Sequence, residues 1–159
     1  MNSSPQTAVP QSPEERSKSL VREEFERLLA HSDFFGWQLR LHDAGDYAVL
    51  FARIAKSDGR VFVMKLECDD YPAIAPKQGF VNPALFESAD ETTPVEAEFW
   101  PQGDYVATDR GPLPVLCIVG HRDYYSDGWH NGWSAPPSHE HTLYQHVVNV
   151  RNAILDAWA

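Results

Sequence analysis

The chain has 159 residues, 43% of them hydrophobic and 12% aromatic, with 23 acidic side chains against 13 lysines and arginines, for a formal net charge of −10. That is enough chain to enclose one core without staples of metal or disulfide. The acidic balance, with no basic stripe, argues against nucleic acid as a partner, and no apolar run approaches the roughly 18 residues that cross a bilayer.

The opening "MNSSPQTAVPQSPEERSKS" has no basic segment followed by an apolar one, so it does not read as a secretory signal and a cytoplasmic location is expected. Residues 1–11 have the composition of a disordered tail, which leaves one domain over residues 12–159. In "SPEERSKSLVREEFERLLAH", Ser12 can cap a helix, Pro13 suits its first position, and Glu15 completes a capping box. Val21, Phe25, Leu28 and Leu29 follow at helical spacing, which predicts a helix over about 12–31 with one apolar stripe.

The period then changes to two. "FGWQLRLHD" alternates Trp37, Leu39 and Leu41 against Gln38, Arg40 and His42, "DYAVLFARIA" is rich in strand formers, and "GRVFVMKLE" alternates Phe62, Met64 and Leu66 against Val63 and Lys65. The turn signals Ala44–Asp46 and Ser57–Gly59 separate them, so an antiparallel meander is predicted. A short fourth strand includes Phe80 and Val81, after prolines that cannot sit within a ladder. Residues 87–98 read as an irregular acidic loop and residues 120–138 as a long, aromatic-rich one, and a structureless segment of that length is usually functional. Leu143, Val147, Val150 and Ile154 mark a closing helix over about 138–158. The predicted core comprises Val21, Phe25, Leu28, Trp37, Leu39, Leu66, Phe80, Val147, Val150 and Ile154.

The residues with chemical potential are few. Cys117, in "GPLPVLCIVGHRDYY", is either a small buried hydrophobe or a nucleophile, and composition does not choose between them. Cys68 stands beside Asp69 and Asp70, whose charges raise a thiol's pKa and blunt it, so it reads as structural. His139 and His141 lie two apart, which on a helix puts them on different faces, and they read as solvated. Two cysteines are too few for a structural zinc site unless histidines complete it, and Cys117, His121 and His130 lack the paired spacing of such sites. No metal and no cofactor is expected.

The order of these pieces resembles the ubiquitin-conjugating enzyme family. "YPAIAPKQGF" is similar to its Tyr-Pro-x-x-Pro-Pro-x-x-x-Phe signature, with Tyr71, Pro72, Pro76 and Phe80 in place and Ala75 where the family has its first paired proline. "PVLCI" resembles the active-site segment, "WSAPP" at 133–137 the Trp-Ser-Pro, and "TLYQHVVNVRNAIL" the helix that follows. The likeness runs in order over residues 13–158. The family's His-Pro-Asn upstream of the cysteine is missing, and Asp109 stands eight residues before Cys117. The segment from Cys117 to Trp133 is longer than usual and one helix follows it, which points to the divergent bacterial branch, associated with defence operons.

The resemblance implies an α+β fold of the UBC-like kind: N-terminal helix, four-stranded antiparallel meander, active-site loop, C-terminal helix. It implies that Cys117 accepts a ubiquitin-like protein as a thioester from an activating enzyme and passes it to an amine, the modified target being unspecified. With the asparagine gone, a donor for the oxyanion must come from His121, His130 or Asn131; His130, set between Trp129 and Asn131, is preferred, although "GWHNGW" would also serve as a packed aromatic loop. The alternatives are a catalytically inactive binding module of the same fold and a cysteine hydrolase using Cys117 and a histidine. Arg16, Lys18, Arg22 and Arg27 place four basic residues on the first helix, the surface by which the family docks onto activating enzymes.

Overall fold

A computed structural model of the chain describes residues 9, 11–88, 106–108, 111–113 and 142–157. Helix α1 (Pro13–Ala30) begins as predicted: Glu15 N donates to Ser12 Oγ at 3.1 Å and Ser12 N to Glu15 Oε2 at 2.9 Å, a complete capping box. Its buried stripe, however, runs through Ser17, Val21, Glu24 and Leu28. Phe25, predicted to be largely buried, is only half-buried and Leu29 is 39% exposed, because the face turned inward is rotated toward the side that bears Glu24. A single turn, α2 (Ser32–Phe35), follows and is stopped by Gly36 in the left-handed region at φ 65°.

Four strands come next: β1 (Gln38–Asp43), β2 (Ala48–Ala55), β3 (Val61–Glu67) and β4 (Lys77–Val81). They pair antiparallel in the order β1-β2-β3-β4, with Leu41 opposite Leu50, Leu50 opposite Leu66 and Met64 opposite Phe80. Leu39, expected in the core, is half-buried because β1 lies at the sheet's edge. Three short elements fall where the sequence shows no clear period. Helix α3 (Pro83–Ser88) precedes the stretch read as an irregular loop and takes in its first two residues, and β5 (Val106–Thr108) pairs with β6 (Gly111–Leu113) in a separate two-stranded sheet. The rest of the predicted acidic loop, residues 89–98, and residues 1–8 and 10 of the predicted tail lie outside the described residues.

Helix α4 (Leu143–Ala157) closes the structure. Leu143, Val147, Val150 and Ile154 are all fully buried, as their spacing predicts. They meet Val21 and Leu28 of α1 and Leu50, Met64, Leu66 and Phe80 of the sheet in the main core. The opposite face is closed too, by a smaller cluster in which Phe86 of α3 covers Val49, Phe51, Val63 and Val81. The architecture is α+β, with an N-terminal helix, a four-stranded antiparallel sheet and a C-terminal helix. Among the described residues no helix is long and apolar enough to cross a membrane.

Candidate functional site

The turn between β3 and β4 carries the proline-bearing motif. Cys68 N extends the ladder by donating to Ala48 O at 3.0 Å, Tyr71 N donates to Cys68 O at 3.3 Å, and Ile74 N to Asp70 O at 3.0 Å. Asp70 takes the left-handed conformation at φ 59°, which aspartate tolerates better than most side chains, and the Tyr71–Pro72 peptide is cis. Ala75 and Pro76 are buried and deliver the chain into β4, where Phe80 is 2% exposed. The motif residues thus form one continuous turn that ends in the core.

One buried carboxylate joins that turn to both helices. Glu24, 3% exposed, accepts a hydrogen bond from Tyr71 Oη at 2.6 Å on one oxygen and from Leu143 N at 2.9 Å on the other. It also accepts from the backbone N–H of Tyr144. Thr142 Oγ1 takes the N–H of Gln145 at 3.1 Å. The first free N–H groups of α4 are therefore satisfied by a carboxylate from α1 and a hydroxyl at the cap, a placement that also favours negative charge at the positive end of the helix. Burial nevertheless raises the Glu24 pKa above the ordinary carboxylate value, and the hydrogen bonds from Tyr71, Leu143 and Tyr144 only partly oppose it. Burial, then the Glu24 charge, push the Tyr71 hydroxyl well above the usual phenol range, so it remains a donor.

Two further polar ties hold α4. Nε2 of the fully buried His146 faces Oε1 of Gln78 on β4 at 2.6 Å, and Lys56 Nζ donates to Ile154 O at 3.1 Å. Neither Glu24 nor His146 was singled out from sequence. Glu24 does carry a signal, since Ser17, Val21, Glu24 and Leu28 follow the helical period; His146 carries only its place one residue before Val147.

Cys117, His121 and His130, with Asn131, Asp109, His139 and His141, lie outside the described residues. Cys68 is fully buried, with its Sγ 3.8 Å from Leu66 O, in keeping with a packing role. The four basic residues of α1 are spread over different tasks. Lys18 pairs with Asp43 at 2.8 Å, Arg16 donates to Gln11 O at 2.6 Å, Arg27 lies over the Tyr144 ring at 5.5 Å, and Arg22 is exposed. The Lys18 ammonium, followed by the Gly45 N–H, holds the Asp43 carboxyl below its ordinary pKa.

Two hollows flank α1. One, of about 390 Å³, lies between α1 and β1; the other, of about 640 Å³, is formed by the start of α1, Asp46 and Tyr47, and residues 69–73. The second has Glu14, Asp46, Asp69 and Asp70 around Leu20, Tyr47 and Pro72, with Arg16 the one basic residue among the described residues that line it. Among the described residues no group of three His, Cys, Asp or Glu side chains could hold a metal ion. No family model and no curated protein matches the chain.

Proposed function

We propose that the chain is a ubiquitin-conjugating-enzyme-like carrier that accepts the C-terminus of a ubiquitin-like protein on Cys117 and transfers it to an amine. The observation that supports this reading most is the order of elements. A capped helix, a four-stranded antiparallel meander in chain order, the Tyr71–Phe80 turn and a closing helix follow one another as the resemblance implies, and the cysteine segment falls between β4 and the closing helix.

The chemistry is two acyl transfers. The Cys117 thiolate attacks the thioester carbonyl on an activating enzyme, an Sγ–C bond forms, and the activating enzyme's thiolate leaves. An amine then attacks the new thioester, an amide C–N bond forms, Cys117 leaves as thiolate, and the amine's proton passes to solvent or a nearby base. A thiol suits both steps because it is strongly nucleophilic with only a few per cent thiolate and its thioester stays reactive. Each tetrahedral intermediate carries an oxyanion, and His130, His121 or Asn131 supplies the donor that the family's asparagine would provide. The missing asparagine favours a second reading, a catalytically inactive module of the same fold that only binds a ubiquitin-like protein.

Incubation with a cognate activating enzyme, its ubiquitin-like protein and ATP should give an adduct that reducing agent cleaves. Cys117→Ala should abolish it, Cys117→Ser should trap an oxyester resistant to reduction, and Cys68→Ala should leave it unchanged. His130→Ala should load normally and discharge roughly 10²-fold more slowly. Charge reversal at Arg16 and Arg22 should slow loading, most at low salt. An adduct that survives Cys117→Ala refutes the carrier, and binding without any adduct supports the module. Neighbouring genes of those two kinds would also support the proposed place in a bacterial defence operon.

A further inference from the structure

Among the described residues strand β1 is an outer strand, paired with β2 alone. Ala44 N donates to Tyr47 O at 2.9 Å at the hairpin's end, and the register continues unbroken through Asp43 opposite Ala48, His42 opposite Val49 and onward to Gln38 opposite Arg53. Antiparallel pairs alternate between hydrogen-bonded and non-hydrogen-bonded. Counting from the bonded Ala44–Tyr47 pair, His42, Arg40 and Gln38 exchange backbone hydrogen bonds with β2. The N–H and C=O groups of Leu39, Leu41 and Asp43 therefore point to the outer edge, where no strand lies among the described residues.

The usual protections of such an edge are weak here. The strand has no proline and no bulge against β2, and its inward-facing residues are leucines rather than charges. Along the edge runs the groove of about 390 Å³, in which the half-buried Phe25, Leu39 and Leu41 and the 39% exposed Leu29 leave apolar surface uncovered. Its charged lining is Lys18, paired with Asp43, and Arg22 and Arg40 against Glu26, with the imidazole of His42 beside them. A molecule of net charge −10 thus turns a cationic spot toward the one place where β1 offers backbone donors and acceptors.

We propose that this edge binds an extended acidic segment of a partner protein as an added antiparallel strand. Directly opposed residues in an antiparallel pair share a face of the sheet. Apolar residues opposite Leu39 and Leu41 therefore enter the groove toward Phe25 and Leu29, and the alternating acidic residues stand beside Arg40 and His42. This site requires nothing of Cys117.

The test uses the full isotope-labelled chain and a short acetylated peptide of alternating valine and glutamate, followed by NMR at neutral pH. Binding should slow amide exchange at Leu39 and Leu41 while leaving the Arg40 and His42 amides, already bonded to β2, unchanged. N-methylation of the peptide's valine amides should abolish binding, and N-methylation of its glutamate amides should be tolerated. A valine–lysine peptide should not bind, and the double variant Arg22→Glu/His42→Glu should weaken the acidic peptide about tenfold. Equal binding of the two N-methylated forms, equal binding of the lysine peptide, or perturbation confined to other residues would overturn the proposal. So would a Leu39 and Leu41 pair already protected before peptide is added, which would mean that a second copy or the chain itself occupies the edge.

Discussion

Leu50, Met64, Leu66 and Phe80 on one face of the sheet and Val49, Phe51, Val63 and Val81 on the other are all nearly inaccessible, yet they are covered by unlike means. The first set lies beneath two long helices whose stripes interlock, and Glu24 and Gln78 with His146 tie those helices to the sheet side. The second set lies beneath Phe86 of a six-residue helix. That helix is held by the Arg40 guanidinium, which stacks on the Phe86 ring at 4.0 Å and donates to Phe86 O at 2.7 Å, and by an ion pair between Arg53 and Glu87. Equal burial does not mean equal rigidity. A cover built from one short helix and its two arginine ties can resettle over a gap, whereas a core hemmed in by two long helices cannot.

The largest expected effect tests that difference directly. Phe80→Ala leaves a cavity walled by α1, α4 and the sheet and should cost near the top of the range of about 3–5 kcal/mol for such truncations. Phe86→Ala removes a ring of the same size, but α3 can move inward, so its cost should fall near the bottom of that range. Urea unfolding of the two variants measures both, and equal losses would break the comparison.

The next effect concerns the polar ties on the better-covered face. Glu24→Ala deprives the buried Tyr71 hydroxyl and Leu143 N–H of their acceptor and should cost about 2–4 kcal/mol. Glu24→Gln keeps a carbonyl for Leu143 N–H and an N–H group for Tyr71 Oη, so its behaviour turns on charge. The folded-state pKa of Glu24 is raised, by burial first. Its contribution is therefore favourable at pH values below the unfolded carboxyl pKa and is lost as pH rises through the folded one. Stability of Glu24→Gln relative to wild type should grow as pH is raised from the acid range toward neutrality. A constant difference across that range would show that the hydrogen bonds offset the burial.

How much of this was legible beforehand follows the same division. The capping box, the Val147 and Ile154 stripe and the hairpin turns were readable because each depends on neighbours within four residues. On the main-core face the alternation of Phe62, Met64 and Leu66 was readable for the same reason. The second face was not: Val63 is also fully buried, and the period of two in β3 says only which side Phe62 faces, not that a helix from residues 83–88 will cover the other. Glu24 does not stand out in the sequence, because carboxylates almost never enter a core unless paired. Its partners stand 47 and 119 residues away in sequence. The proposed nucleophile rests on sequence alone, since Cys117 lies outside the described residues.

The smallest expected effect belongs to Arg40 and asks how the second face is held. If the guanidinium only shields Phe86 from water, its aliphatic stem does the work, and Arg40→Met should be nearly neutral. If the stacked cation and its hydrogen bond to Phe86 O matter, Arg40→Met should cost about 1 kcal/mol, the sum of a partly exposed cation–π contact and one modest hydrogen bond. Arg40→Lys separates the two contributions further. A lysine keeps the charge but has no flat, forked group to lie on the ring while donating to the carbonyl, so it should recover less than half of the loss. Denaturation midpoints for the three proteins read this out. A lysine variant as stable as wild type would show that charge alone holds α3 to the sheet, and the helix would then loosen measurably in high salt, which a stacked guanidinium resists.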